Sequence, residues 1–460
     1  MVTINVRGSL CQVFGLEPDV SKDLQAKFSY QPSGYEFSDS YKEGKWTGYQ
    51  YCFRNNRFSI GLLYDVISFL RNKSIDCNIQ DFRQLRESII CNKSPNIVLR
   101  PYQQEIANDC FHNKCSSIQV ATGGGKSLLA AEFIRQVAKK TLILVPSIEI
   151  LYQMRDMIQD YIQIPVGIIG NNLYDPKDVT VSTWQSLASP TYDYSEFLNS
   201  IDNLVIDEAQ HIAANHLRQI ARSTSSIYRL AMSGTLFRED NADMEIIAAT
   251  GPIQAKIDYS YLIDRHYLVP PHIKMLRMPA KNYSRYNTYQ EIYEDYVVNN
   301  EFRNKHLVRQ AQNLINEGRK VLIFVSRIPH GEALAEIGGH EFVYSSHPDR
   351  RFLIDSFKTG DLKCLISTNM LDEGFDCPPI DALVLAAPQK SLIKTIQRIG
   401  RGLRPFENKK DCIVVDCIDP VRYLHKAFQR RFKFYRSEKS FVIEKSIETE
   451  EQTTLNEWGI

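Results

Sequence analysis

The chain has 460 residues, of which 43% are hydrophobic and 24% charged, and its formal net charge is +1. At roughly 100–200 residues per domain, that length holds about three domains, and the composition excludes wholesale disorder. A globally basic protein is also excluded, so any polyanion must meet a local positive surface. The ten cysteines are scattered and form no C-x-x-C pair, which speaks against a zinc site and for a reducing compartment. The opening MVTINVRGSLCQVF lacks the apolar core of a signal peptide. No apolar run reaches the ~18 residues of a membrane span. The expectation is a soluble, cytoplasmic protein with no membrane partner.

In chain order, residues 1–94 come first. They lack an alternating strand–helix rhythm and are rich in aromatics and turns, as in GYEFSDSYKEGKWTGYQYCF, with an amphipathic stretch at Leu62–Leu70. A small α+β domain is predicted, ending in a CNKSPN linker at Cys91–Asn96. Residues 95–265 alternate. The short apolar runs SSIQVA, TLILVP, VTVST, NLVID and YRLAMSG are separated by helix-like segments. Residues 266–436 repeat the rhythm through KVLIFVS, EFVYS, CLIST, ALVLAA and CIVVDC. Such alternation implies parallel sheets with crossover helices. Residues 437–460 are polar and acidic and read as a tail.

The segment QVATGGGKS, Gln119–Ser127, lies between an apolar strand and a helix, the setting of a phosphate-binding loop. Gly123, Gly124 and Gly125 let the backbone curl so that its N–H groups face phosphate oxygens. The helix N-terminus adds partial positive charge. Lys126 is placed to reach the β- and γ-phosphates and Ser127 to ligate Mg²⁺. Val120 stands where the full G-x-x-x-x-G-K-[ST] pattern has glycine, so a plain glycine-rich turn stays open on the loop alone. The second element is NLVIDEAQH, Asn203–His211, an apolar strand ending in two carboxylates. Asp207 suits Mg²⁺, and Glu208 suits orienting and deprotonating the attacking water. Alone, an Asp-Glu pair is also a common helix start.

Together these elements resemble superfamily 2 helicases and translocases. RPYQ, Arg100–Gln103, resembles the adenine-reading element, with Gln103 as the base contact. ATGGGKS, from Thr122, and DEAQH match motifs I and II. SGT, Ser233–Thr235, resembles motif III, STNMLDEGFDCP motif V and QRIGRGLR motif VI. The resemblance spans residues 99 to about 420, with the motifs in order. It implies an α/β fold: two tandem RecA-like parallel-sheet domains behind the small α+β domain, with ATP and Mg²⁺ in the cleft between them. QRIGRGLR sets Gln397, Arg401 and Arg404 along one helix face at spacings of four and three. By resemblance Arg401 and Arg404 are arginine fingers, for which a planar, permanent charge is suited. Gly374 and Asp376 are expected near the ribose and phosphates.

In this family nucleic acid crosses the tops of both domains through sequence-tolerant phosphate and sugar contacts. VPSIEI (with Pro146) resembles motif Ia, STWQSL (Thr183, Trp184, Gln185) motif Ic, and FVSR (Ser326, Arg327) motif IV. Thr368 and Asn369 open motif V. Trp184 reads equally as a base-stacking platform or a core residue. Arg238-Glu239-Asp240 resembles the RED element of XPB-type helicases, and reads equally as a surface ion cluster. In RYLHKAFQRRFKFYR, Arg422–Arg436, the apolar stripe is expected to pack inward and Arg430, Arg431 and Lys433 to be solvated.

Gly34-Tyr35, Phe37, Gly44, Trp46-Thr47-Gly48, Phe58 and Gly61-Leu62 resemble the front domain of UvsW-like phage helicases. That branch implies an ATP-dependent DNA helicase acting on forked and Holliday-type DNA in recombination, replication or repair, inside the host cell; a monomer is compatible with it. Two alternatives in the superfamily are an RNA helicase and a duplex-DNA translocase subunit that does not separate strands. A catalytically inert binding module is disfavoured by intact Lys126, Asp207, Glu208, Arg401 and Arg404.

Overall fold

A computed structural model describes residues 2–190, 192–213, 215–235, 243–278, 288–371, 377–387 and 391–444. Residues up to 257, apart from 122–124, form one compact unit; 122–124 and those from 258 onward form a second.

The first unit opens with a five-stranded sheet. Its strands are β1 (Val2–Arg7), β2 (Leu10–Phe14), β3 (Phe53–Arg54), β4 (Arg57–Ser59) and β5 (Cys77–Asp81), in spatial order β3-β4-β2-β1-β5. Only the β1–β5 pairing is parallel. Along β1 the inward residues are Val2, Ile4 and Val6, the period of two that a half-buried strand requires. Helix α1 (Pro18–Lys27) starts with proline at its first position, where the missing N–H costs nothing. Helix α2 (Leu63–Asn72) buries Val66 and Leu70, four residues apart on one face. This is the expected α+β region.

An eight-stranded sheet follows: β6 (Cys115–Val120), β7 (Thr141–Val145), β8 (Val166–Gly170), β9 (Leu173–Asp175), β10 (Val179–Thr183), β11 (Asn203–Ile206), β12 (Tyr228–Ser233) and β13 (Ile253–Ile257). The order is β9-β8-β10-β7-β11-β12-β6-β13, and only β9 runs antiparallel to its neighbour. Central strands such as β7 and β11 are buried at every residue, as a sheet covered on both faces demands. The crossover helices include α3 (Pro101–Asn113), α4 (Lys126–Val137), α5 (Ile148–Ile162), α6 (Asn215–Ser223) and α7 (Asp243–Thr250). The five apolar runs predicted here are all strands; β8, β9 and β13 are additions.

Inside this unit the small sheet rests on α7. Ala248 of α7 shares one core with Ile4, Phe53, Phe58 and Leu70. A side chain at Gly61 would run into the Ile247 carbonyl, so the two backbones approach as only glycine allows. Arg229 is buried beneath this junction and donates to the carbonyls of Ala221, Ala249 and Thr224. The predicted linker lies along the larger sheet's helices, with Asn92 and Ser94 N–H bonded to the Ile162 and Tyr161 carbonyls at 3.1 and 2.8 Å.

The second unit holds a seven-stranded, all-parallel sheet. It comprises β14 (Pro271–Arg277), β15 (Val321–Phe324), β16 (Glu341–Val343), β17 (Cys364–Ser367), β18 (Ala382–Leu385), β19 (Cys412–Ile418) and β20 (Val442–Ile443). The order is β16-β17-β15-β18-β19-β14-β20. Its principal helices are α8 (Glu301–Asn316), α9 (Ile328–Gly338), α10 (Arg350–Thr359), α11 (Leu392–Gly402) and α12 (Arg422–Ser437). Again the five predicted runs are strands. β14 and β20 are additions; the sequence of β14, PHIKMLR, interleaves polar residues with apolar ones.

Helix α12 corrects one expectation. Leu424, Phe428 and Tyr435 pack inward, and Arg430 and Lys433 are exposed. Arg431 is not solvated: it is 2% exposed and bonds the Asp416 carboxylate of β19 at 2.8 and 2.9 Å. The reason is helical phase, because Arg431 stands three residues after Phe428 and four before Tyr435. Burial alone would lower its pKa; the Asp416 charge more than reverses that. Among the described residues no helix is long and apolar enough to cross a membrane.

Candidate nucleotide site and nucleic-acid edge

Three adjacent strands of the first parallel sheet, β11, β12 and β6, deliver their C-terminal ends to one edge. Crevices at such edges are where open α/β sheets bind ligands. From β6 the chain passes through the glycine loop into α4, which begins at Lys126. Gly123 and Gly125 have φ of 85° and 78°, left-handed values that tighten the turn. A Cβ at Gly125 would collide with the Gln103 amide. The loop is therefore a tight cradle ahead of a helix N-terminus, a shape that fits phosphate.

The charged side chains meet here. Lys126 Nζ lies 4.0 Å from Glu208 Oε1 and 3.5 Å from the Val120 carbonyl. Asp207 follows β11 directly and is 6% exposed. Glu208 has φ of 49°, a rare value for a non-glycine residue and a kind of strain that gathers at functional sites. Gln210 Nε2 donates to Glu208 Oε2 at 2.7 Å, and Gln210 Oε1 accepts from Ser233 Oγ. Ser233 in turn accepts from Thr235 N at 3.0 Å. A chain of hydrogen bonds thus links the DEAQ segment to the SGT segment. Sequence reasoning misses Gln210, although its place two residues after Glu208 is the signal that finds it.

Gln103 is also built into this edge. Its Oε1 accepts from Arg100 N at 2.9 Å, capping α3, and its Nε2 donates to the Gly125 carbonyl at 3.4 Å. At 2% exposure, it acts in this structure as a tether between α3 and the phosphate loop. Below the loop, Glu132 of α4 is wholly buried and accepts from Gln104, Arg135, Gln136 and Tyr161 at 2.7–2.9 Å. Burial pushes its pKa up, but these donors outweigh that and bring it down to about 2. The network locks α3, α4 and α5 together.

The predicted nucleic-acid contacts of the first unit adjoin this edge on β7 and β10. Pro146 follows β7 and is buried; its carbonyl accepts from Gln185 Nε2 at 3.2 Å, and Gln185 is exposed. Thr183 is 4% exposed, and its Oγ1 caps the short helix Trp184–Leu187 by accepting from Ser186 N at 3.3 Å. Trp184 is 8% exposed and packs with Leu142, Ile206 and Leu217, its ring 5.6 Å from that of His211. Of its two readings, the core one holds in this structure. Arg238 and the rest of the RED triplet lie outside the described residues, as do Gly374 and Asp376.

On the second unit, β15 and β17 are neighbours, so Ser326 and Arg327 come beside Thr368 and Asn369. Arg327 pairs with Glu294 and sits 4.8 Å from the Tyr293 ring centre. Gln397 and Arg401 lie on α11, four apart. Arg404 does not: the helix ends at Gly402, with Leu403 as its cap. The expected three-residue face is therefore corrected to two. Pro405 supplies the cause, because the residue before a proline is driven out of helical conformation. A residue that the motif leaves unremarked lies between them. Arg398 is fully buried, donates to Asn369 Oδ1 at 2.6 Å and sits 4.4 Å from the Phe324 ring centre. It joins the motif VI helix to the strand ends of motifs IV and V. Its spacing of three from Thr395 and four from Gly402, both buried, is the clue to its inward direction.

The family model "Type III restriction enzyme, res subunit" matches residues 96–238, and "Helicase conserved C-terminal domain" matches residues 304–405. The chain belongs to the superfamily 2 helicases, a family of ATP-hydrolysing enzymes. It is 28% identical over 366 residues to a putative helicase 22 of Sulfolobus islandicus filamentous virus, covering 71% of this chain and 64% of that one. It is 24% identical over 459 residues to the ATP-dependent DNA helicase uvsW of Enterobacteria phage T4, covering 91% of this chain and 90% of that one. Among solved structures, a fragment of a putative HsdR subunit of a type I restriction enzyme from Vibrio vulnificus shares the fold with a TM-score of 0.58. That match is at 18% identity and covers 77% of this chain and 70% of that one. Matches to several other helicase relatives span little more than half of those proteins, between 52% and 56%.

Proposed function

We propose that this chain is an ATP-driven motor that separates or branch-migrates forked and Holliday-type DNA in recombination, replication or repair. The observation that carries the motor reading is the convergence of Lys126, Asp207, Glu208, Gln210 and Ser233 at one sheet edge. The branched-DNA reading is supported by the near full-length similarity to uvsW of phage T4.

The glycine cradle and Lys126 bind the triphosphate, and Arg100 and Gln103 sit where the base arrives. Ser127 and Asp207 offer hard oxygen donors of the kind Mg²⁺ takes, and when bound that ion screens the phosphate charge. Glu208 orients the attacking water and accepts its proton. Gln210 holds the Glu208 carboxylate and reports its state to Ser233, and so to the segment behind motif III. Arg401 and Arg404 supply positive charge to the transferring phosphoryl group. Arg398 keeps α11 in register with Asn369. The strand-edge residues Pro146, Thr183, Gln185, Ser326, Arg327, Thr368 and Asn369 contact the DNA backbone, and the small N-terminal sheet holds a duplex arm.

ATP hydrolysis measured with forked DNA, Holliday junctions, linear duplex and RNA, at stated salt, tests this. Forks or junctions should stimulate most. Equal stimulation by plain duplex or RNA would keep the motor and remove the branched-DNA role.

A further inference from the structure

The motif-based DNA contacts leave one strongly charged surface unused. Helix α12 runs RYLHKAFQRRFKFYRS and contains no acidic residue in its 16 positions. Arg422, Lys426, Arg430, Lys433 and Arg436 are all exposed. At about 100° per residue, they fall within a sector of about 120°. The buried residues Leu424, Phe428, Arg431 and Tyr435 centre on the opposite side of the helix. At 1.5 Å per residue the five cations form a row about 21 Å long.

Helix stability does not account for the row. Cations stabilise the C-terminal end of a helix, which suits Lys433 and Arg436. Arg422 stands in the first turn, where the helix dipole disfavours a positive charge and where no acidic residue offsets it. Among the described residues, Arg422, Lys426, Lys433 and Arg436 have no carboxylate ion pair; Arg422 lies against the Tyr423 ring, 5.2 Å from its centre. The buried cation of the same helix, Arg431, does have its carboxylate. General basicity is no explanation either, since the whole chain carries only +1.

We infer that the outer face of α12 is a second nucleic-acid surface, which holds the phosphate backbone of a DNA duplex outside the strand-edge contacts. Duplex DNA carries one negative charge per ~1.7 Å of axis, so a 21 Å row of cations is matched by a dense line of phosphates. Lysine and arginine in a single file recognise charge and spacing, not base sequence. Gln429, on the same face, adds a neutral hydrogen-bonding group. The inference rests on the reading of the chain as a DNA motor and extends the path of the DNA onto an element outside the helicase motifs.

The test is the salt dependence of duplex binding by the full chain. Two double variants are compared with wild type, Arg422→Glu with Lys426→Glu, and Lys433→Glu with Arg436→Glu, with exposed Arg351→Glu on α10 as the control for a charge reversed elsewhere. Each double variant is expected to weaken duplex binding at least tenfold near 0.1 M salt. The slope of log K against log salt should fall by about 2, at ~0.9 per lost phosphate contact. A thermal melt checks folding; if a glutamate pair melts early, the same pairs changed to Gln should still lower the slope. Wild-type affinity and slope in folded variants would overturn the inference, as would loss of binding only to acidic lipid vesicles. Failure of the wild type to bind any DNA would instead refute the motor reading, so the two failures are distinct.

Discussion

The C-terminal edges of the two parallel sheets are held by different means. On the first, the side chains suited to chemistry hold one another: Lys126 faces Glu208, Gln210 bridges Glu208 and Ser233, and Gln103 tethers the glycine loop. On the second, buried arginines outside the expected chemistry hold the frame. Arg398 ties α11 to Asn369, Arg431 ties α12 to Asp416, and Arg303 of α8 reaches Asp419 at 3.0 Å. A site built from its own reactive groups tolerates no substitution without loss of chemistry. A site positioned by a separate frame can lose stability and activity independently.

That contrast can be broken. Glu208→Gln should lower ATP hydrolysis by ~10²–10⁴-fold, the usual worth of a positioned base, and leave the melting temperature unchanged. A large stability loss in that variant would show that the first edge is frame as well. Asp416→Ala should do the opposite. It strands the buried Arg431 charge and should cost about 3–5 kcal/mol of stability, read as a denaturant midpoint shift, whereas exposed Lys433→Ala should stay within about 0.5 kcal/mol.

The pH dependence sharpens the comparison on the first unit. Glu132 has a folded pKa of about 2, below its ordinary 4.5. A depressed carboxyl stabilises the fold fully above the unfolded value and loses that contribution as pH falls from about 4.5 towards 2. The contribution is at most about 3 kcal/mol. In Glu132→Gln the acid limb of a stability–pH curve should flatten by that amount; an unchanged limb would contradict the network. The smallest effect is expected for Arg398→Lys. It keeps a charge but loses the planar fork, so DNA-stimulated hydrolysis should fall about tenfold with little change in ATP affinity. A change confined to ATP affinity would place Arg398 in binding instead.

Much of this architecture is legible in the sequence. Ten apolar runs become ten strands because fully buried parallel strands leave an unbroken hydrophobic signature. The glycine loop and DEAQ stand out because phosphate binding dictates residue types at fixed spacing. Strand β14 escapes because PHIKMLR interleaves lysine and histidine with its apolar residues. Neighbouring Arg430 and Arg431 look alike in sequence, yet 100° of helix rotation puts one in water and the other on a buried carboxylate. Arg404 keeps helical spacing from Arg401, yet Pro405 stops the helix short of it. Gln103 stands out by motif position alone, and its cap and tether bonds exist only where α3 meets the loop. Trp184 shows the same limit, since an aromatic residue beside a strand end serves core and surface with equal ease.

The central claim is that the edge around Lys126 and Glu208 drives DNA remodelling. The most direct measurement is strand separation of a forked DNA by wild type and by Lys126→Ala, with ATP present and DNA binding measured alongside. The account predicts ATP-dependent unwinding by the wild type, none by the variant, and DNA affinity retained in both. Unwinding by the Lys126→Ala protein would contradict it.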